Sequence, residues 1–361
     1  MLFSCKPDKP VGKPSMNALS LLDQRIWQSQ RSHYISLANP LLSLKTDTPQ
    51  ARAAHTVVVE PMQPSISVVI PLYNHERYIS STLYSVLSQH YPAREIIVVD
   101  DGSSDDGMHV VQTLAQNRPE IIYWKHSNRG AHNTINAAIH RSSSDLVSIL
   151  NSDDIYHPER LKDVAASFAQ DPDLDAVATG MDFINGEGAP VPFEWYDQAI
   201  DYHRNSDDLG KTLVNGNIFV TTSNLVVKRS VFEKIGHFSD LRYAHDLDFF
   251  LRLVSEGRKI QILPRELMSY RIHATNTISE GHLKVKLEWA TVTAFYLARL
   301  ACKEDGWRRV SNHIDVLKTH NLMDPVMLLF GYFQKYPAAS LDRHPYHDDE
   351  DFKTLVRSNI S

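Results

Sequence analysis

Cysteine is nearly missing. The chain of 361 residues holds two, Cys5 and Cys302. Two distant thiols build neither a disulfide framework nor a cysteine-rich zinc site. A reducing, cytoplasmic compartment is the simpler expectation. An excess of positive charge is missing too. Lys plus Arg number 37 against 43 Asp plus Glu, a net charge of −6. That excludes coating a nucleic acid through bulk charge, so no nucleic-acid partner is expected. No run approaches the ~20 apolar residues of a spanning helix. The most apolar stretch near the C-terminus, Ala290 to Cys302, is broken by Arg299. No apolar segment precedes the faint lipoprotein-like Leu2-Phe3-Ser4-Cys5. The expectation is a soluble protein, at most peripheral at the inner face of a membrane. No G-x-G-x-x-G follows a strand, which argues against a dinucleotide oxidoreductase. There is no internal repeat.

What is present is a substantial apolar fraction, 42%, enough for a large core. Residues 1–64 read as an N-terminal arm and linker, with a helical pattern over about 17–37 and a Pro/Thr/Ala-rich stretch from Thr46 to Gln63. From Ile66 the pattern sharpens. Ile66 to Ile70, Glu95 to Val99, Ile121 to Trp124 and Leu146 to Leu150 are short β-branched or aromatic runs. Helical spacing fills the gaps at Tyr78–Gln89, Met108–Ala115 and Ala131–His140. This alternation predicts a mostly parallel sheet with helices on both faces. Beyond it come a helix at Pro158–Ala169, a strand at Ala176–Gly180 and an irregular stretch at Asn185–Asp208. Helices at Ser230–Ile235 and Asp246–Glu256 follow, then strands at Lys259–Leu263 and Leu267–Ile272. Residues 283–361 read as a helical extension ending in an acidic tail.

Ligands of such sheets bind beyond the carboxyl ends of the strands. Three strand ends carry polar clusters: Tyr73-Asn74, Asp100-Asp101 and Asp153-Asp154. Adjacent carboxylates are costly without a cation, and a hard divalent ion bridges carboxylates to phosphates. Taken alone, Asp153-Asp154 is better explained by a turn with a helix cap. Asp101 offers a carboxylate to a base or ribose, or closes a tight turn. In Asn128-Arg129-Gly130 the arginine suits a phosphate, or lies on an ordinary loop. In His245-Asp246-Leu247-Asp248 a carboxylate at a helix start is a cap or a general base. His273 ends the last strand, and a lone histidine is often structural.

Taken in order, these segments carry more. Pro71-Leu72-Tyr73-Asn74, Val98-Val99-Asp100-Asp101-Gly102-Ser103, Asn128-Arg129-Gly130, Asn151-Ser152-Asp153-Asp154 and His245-Asp246-Leu247-Asp248 together closely resemble glycosyltransferase family 2 over residues 65–280. The resemblance implies an α/β fold of the GT-A type and an inverting transferase that uses a nucleotide sugar. It places Tyr73 against the base, with Pro71 lining that pocket and Asp101 accepting from the base. Arg129 approaches the nucleotide or diphosphate, and Asp153 the ribose or sugar. Asp154 and His273 hold the metal, Mn²⁺ or Mg²⁺, and Asp246 is the catalytic base. Asn151 stands where the family commonly has Asp, and His245 where it often has Glu. Neither a Gln-x-x-Arg-Trp motif nor membrane helices accompany the set, which favours transfer of single sugars. A nucleotidyltransferase would show a Gly-rich, Arg-containing loop after the first strand, and Pro71-Leu72-Tyr73-Asn74 does not match.

The implied partners are a nucleotide-sugar donor, a UDP sugar being commonest, and a carbohydrate or glycolipid acceptor of cell-surface polymer synthesis. The alternative is a degenerate protein that binds sugar nucleotides without transfer. For the helices after Leu283, core packing is the default expectation, and covering the acceptor site, docking on a membrane or forming a homodimer are the alternatives.

Overall fold

The computed structural model describes residues 63–274, 276, 282–335 and 350–359. The expected arm and linker at 1–64 therefore lie outside the described residues, apart from Gln63 and Pro64. The described residues belong to one compact unit, Val59–Ser361.

The first half follows the predicted alternation. Strand β1 (Ile66–Leu72) leads to α1 (Glu76–Leu87), β2 (Glu95–Asp100), α2 (Gly107–Ala115), β3 (Ile121–Lys125), α3 (Ala131–Arg141) and β4 (Leu146–Ile149). Strands β1, β2, β3 and β4 pair in parallel in the order β3-β2-β1-β4. Side chains of a strand alternate between faces, and both faces here are buried. Ile66, Val68, Ile70 and Leu72 enter one apolar core, while Val69 enters the other. Helix α1 covers the first face with Ile79, Leu83 and Val86, spaced for one stripe of a helix.

The second half turns the sheet mixed. It contains β5 (Ile155–Tyr156), α4 (Arg160–Gln170), β6 (Ala176–Asn185), α5 (Glu194–Arg204), α6 (Leu209–Asn215), β7 (Val226–Lys228), α7 (Arg229–Ile235), α8 (His245–Ser255) and β8 (Ile260–Ile272). The sheet continues from β4 through β7, β6 and β8 to β5. The β4–β7, β6–β7 and β5–β8 pairs are antiparallel, while β6 and β8 are parallel. Three details differ from the sequence reading. Helix α5 occupies part of the stretch read as irregular, burying Tyr196 and Ala199. Strand β6 is ten residues long, twice the expected run. The two strands read around Pro264 are one strand, β8, with a register shift opposite Gly180. A Cβ on Gly180 would meet the Pro264 and Arg265 carbonyl oxygens at 2.9 Å, so the irregularity requires glycine there.

The C-terminal helices are α9 (His282–Ala301), α10 (Gly306–Ser311), α11 (Ile314–Thr319), α12 (Met323–Phe333) and α13 (Glu350–Asn359). They share the core of the sheet. Ala290, Phe295, Leu297, Leu329 and Phe333 join one apolar cluster with Val69, Val147 and Phe250. Helix α9 thereby braces α8. The Arg299 guanidinium donates to Glu256 at 2.8 Å and to the Ser255 hydroxyl at 3.0 Å. Among the described residues no helix is long and apolar enough to cross a membrane.

Candidate active site

The sheet order places β1 between β2 and β4, so three carboxyl ends lie side by side. The loops beyond them are stitched together. The Asp101 amide donates to the Leu72 carbonyl at 2.8 Å. The Asn74 amide donates to Ser103 Oγ at 3.0 Å, and the Ser104 amide donates back to Asn74 Oδ1 at 2.8 Å. Asn74 sits at φ +54°, a left-handed conformation that Asn tolerates. Tyr73, just before it, stands 49% exposed. A free aromatic ring at this strand end is suited to stacking.

Asp101 is buried and builds the neighbouring wall. Its Oδ1 accepts the Arg129 amide at 2.7 Å, and its Oδ2 accepts the Gly130 amide at 3.0 Å. The carboxylate thus fixes the Asn128-Arg129-Gly130 loop and keeps further lone pairs for a ligand. Gly102, at φ +79°, brings that loop close, since a Cβ there would lie 2.8 Å from the Asn128 amide nitrogen. The Arg129 side chain is exposed. Pro71 lies within β1 and is half-buried.

The two acids after β4 face different ways. Asp154 is fully buried. Its Oδ2 accepts from Ser223 Oγ at 2.6 Å and its Oδ1 from the Arg271 amide at 2.9 Å. Burial, then the charge of Asp153, pushes its carboxyl well above the usual range. It ties the β4 loop to β8. Asp153 instead meets His273, with Oδ2 2.9 Å from Nε2. Burial pushes its carboxyl up. The His273 hydrogen bond and the charges of His75 and His273 outweigh that and hold it below the usual range.

His75 completes a cluster. Its Nε2 lies 3.9 Å from Asp153 Oδ2, and one ligand atom from each of His75, Asp153 and His273 lies within 4.8 Å of the others. Among the described residues this is the group whose spacing suits a metal ion, and Asp154 is not in it. Two imidazole nitrogens and a carboxylate are an ordinary divalent-ion donor set. His273 is the member that the family resemblance implies as a ligand. The sequence does not single out His75, because one histidine between a strand end and a helix has no motif around it. Its place on the loop next to the Asp153 loop is the signal, and that requires the strand order.

Asn151 is also accounted for. Its amide group donates to Thr221 Oγ1 at 2.9 Å and its Oδ1 accepts from Thr222 Oγ1 at 3.1 Å. The same segment reaches the last acid. Asn217 Nδ2 donates to Asp246 Oδ2 at 3.0 Å, while the Leu247 amide donates to Oδ1 at 2.7 Å. Burial raises the Asp246 carboxyl to about 7, despite the hydrogen bonds from Leu247 and Asn217 that lower it. Asp248, two residues on, is used in packing: it accepts from Ser239 Oγ at 2.7 Å and from Arg252 Nε at 2.9 Å. His245 is pushed down to about 4 by burial and by His132. Glu288, on α9, accepts the Tyr243 and Ala244 amides at 2.7 and 2.9 Å and so fixes the entry to α8. The two acid groups share a neighbourhood. The Tyr270 hydroxyl is raised first by burial, then by the charges of Asp154, Asp153 and Asp246.

Comparison with known proteins agrees with this geometry. The sequence model of "Glycosyl transferase family 2" matches residues 67–236. An uncharacterised glycosyltransferase of Nostoc sp. is 31% identical over 217 residues, covering 58% of this chain and 66% of its own length. The poly(ribitol-phosphate) β-N-acetylglucosaminyltransferase TarS of Staphylococcus aureus is 26% identical over 210 residues, covering 56% of this chain and 35% of TarS. The chain thus spans just under two thirds of the first relative and about a third of the second. Two solved structures share the fold. TarS residues 1–349 with UDP-GlcNAc superpose with a TM-score of 0.51 at 19% identity, covering 81% of this chain and 91% of that one. The Pyrobaculum calidifontis mannosyltransferase PcManGT, with GDP-Man and Mn²⁺, gives 0.52 at 16% identity, covering 95% and 88%. Residues 67–236 thus form a domain of glycosyl transferase family 2, the domain of a glycosyltransferase.

Proposed function

We propose that this glycosyltransferase inverts the configuration of a single sugar as it moves it from a nucleoside diphosphate, UDP for preference, to an acceptor hydroxyl. The acceptor belongs to cell-surface polymer or glycolipid synthesis. One observation carries the reading. One short segment, Asn217 to Ser223, holds both acid groups: Asn217 donates to Asp246, while Thr221, Thr222 and Ser223 bind Asn151 and Asp154 of the loop that carries Asp153. A leaving group and an attacking hydroxyl can therefore be served in one crevice. The poly(ribitol-phosphate) acceptor in the name of TarS, and the UDP-GlcNAc bound to its solved structure, support the donor and polymer classes.

Each residue then has a task. Tyr73 stacks on the base, and Asp101 with the Arg129 loop forms the wall beside it. Pro71 shapes the floor. His75, Asp153 and His273 hold the divalent ion, Mn²⁺ or Mg²⁺, beside the diphosphate. Such an ion, when bound, neutralises the charge that builds on the leaving diphosphate. Asp246 accepts the proton of the acceptor hydroxyl as that oxygen attacks the anomeric carbon from the opposite face. Its two oxygens are held by Asn217 and Leu247, and each keeps a lone pair for that proton. A pKa of about 7 suits a base working near neutrality. Positioning donor and acceptor together supplies much of the remaining rate.

The test uses UDP-GlcNAc, UDP-Glc and GDP-Man with Mn²⁺ and a panel of polyol-phosphate, saccharide and glycolipid acceptors. NMR of the product reads the anomeric configuration. The expected product has the configuration opposite to the donor and forms ~10²- to 10⁴-fold more slowly with Asp246→Asn. A retained configuration, or normal turnover by Asp246→Asn, overturns the assignment. Donor binding without turnover on any acceptor would support the degenerate binding protein instead.

A further inference from the structure

We infer that His75 is a direct ligand of the metal and makes this site prefer a first-row transition ion to Mg²⁺. The inference rests on the metal reading proposed above.

Three observations support it. The first is how the ring is held. His75 Nδ1 lies 2.8 Å from the hydroxyl of Ser152, the buried residue directly before Asp153. The His75 carbonyl accepts the Tyr78 and Ile79 amides at 2.9 Å each, so its backbone opens α1. The ring also stands edge-on to Tyr78 and to His273, with centroids 5.7 Å away in each case. When Nδ1–H donates to Ser152 Oγ, Nε2 turns its lone pair toward Asp153 and His273. A hydrogen bond on the far ring nitrogen is how proteins orient a metal-binding histidine.

The second is the count of charge. Asp154 is fully buried against Ser223 and Arg271, and its oxygens lie outside the cluster of ligand atoms. Asn151 is neutral and engaged with Thr221 and Thr222. One carboxylate, Asp153, therefore faces the cluster. Mg²⁺ binds through carboxylate, phosphate and water oxygens and has little use for imidazole. The third is the donor set itself. Two imidazoles with one carboxylate suit first-row transition ions, which bind nitrogen donors more strongly. Without His75 the set becomes one nitrogen and one oxygen, and the preference weakens.

The experiment uses the full chain with UDP, and Mn²⁺ as the probe. Pulsed EPR of the bound Mn²⁺ detects each coordinated imidazole through its ¹⁴N coupling. Titration of the free Mn²⁺ signal gives affinity, and competition gives the affinity for Mg²⁺. His75→Ala and His75→Asn are compared with His273→Ala, after equal melting temperatures confirm folding. The expected wild-type spectrum shows two coordinated imidazoles, and each histidine variant shows one. Mn²⁺ affinity in the His75 variants falls at least ~10-fold, the loss typical of disturbing even an outer partner of a ligand. Mg²⁺ affinity stays where it was. A His75→Ala spectrum identical to wild type, with coupling lost only in His273→Ala, overturns the role of His75 and leaves the metal site standing. Absence of any bound Mn²⁺ in the wild type with UDP overturns the metal reading itself.

Discussion

Replacing Asp246 by Asn separates two consequences of one buried carboxyl. Its pKa is about 7 in the fold against 3.8 for an unperturbed group. A shift of about 3 units corresponds to about 4 kcal/mol. The folded-state value is raised, so the folded protein holds this proton more tightly than the unfolded chain. The favourable contribution is complete below pH 4 and is lost as pH climbs to about 7. Above that, the wild type carries a charged, desolvated carboxylate. Asn does not titrate. Its amide nitrogen meets the Asn217 amide, at a cost of ~1 kcal/mol for one hydrogen bond. The variant is therefore expected to be about equal or slightly weaker at pH 4.5, and to gain on the wild type by up to about 4 kcal/mol by pH 8. Its catalytic rate should fall ~10²- to 10⁴-fold, the usual weight of a general base. The wild-type rate should rise with pH through about 7, and the residual rate of the variant should not. Guanidinium unfolding at the two pH values reads the first effect, and initial rates of nucleoside diphosphate release read the second. An equal stability difference at both pH values would refute the buried-carboxyl argument. A normal rate would refute the base.

Other substitutions probe other parts of the site. Tyr73→Ala should weaken nucleotide binding by ~1–3 kcal/mol, the worth of one base stacked on an aromatic ring, with no change in melting temperature; calorimetry with UDP decides this. Asp154→Ala should destabilise the fold by ~2–4 kcal/mol, because the buried Ser223 hydroxyl and Arg271 amide each lose a partner. Metal binding per folded molecule should survive in that variant, which denaturant unfolding and a Mn²⁺ titration check together. Gly102→Ala should cost ~1–2 kcal/mol in a left-handed position. It should also weaken nucleotide binding, since the added Cβ presses on Asn128; restored binding in a wild-type loop geometry would contradict this.

The parallel half of the sheet was legible because buried parallel strands read as continuous β-branched runs. Val68-Val69-Ile70 and Ile96-Ile97-Val98 show this plainly. Helix α5 was hidden by Pro190 and Pro192 ahead of it, and because it buries only Tyr196 and Ala199. Such a helix leaves a weak period. Strand β8 was split in two by Pro264, yet the chain carries it through at the shift opposite Gly180. The acid pair shows a deeper limit. Asp153 and Asp154 are adjacent in sequence, and neighbouring residues at a strand end point to opposite sides. Sequence identified the pair but not which member faces the crevice. The same limit hid His75, whose partners arrive from loops 77 and 198 residues further along the chain.

The most direct measurement of the central claim is UDP binding by thermal unfolding, with and without Mn²⁺, in the wild type and in Asp153→Ala. A ligand at 100 times its dissociation constant adds about 2.7 kcal/mol. The account predicts a UDP-dependent rise in melting temperature that requires Mn²⁺ and disappears in Asp153→Ala. A rise that is the same without metal, or that persists in Asp153→Ala, would contradict it.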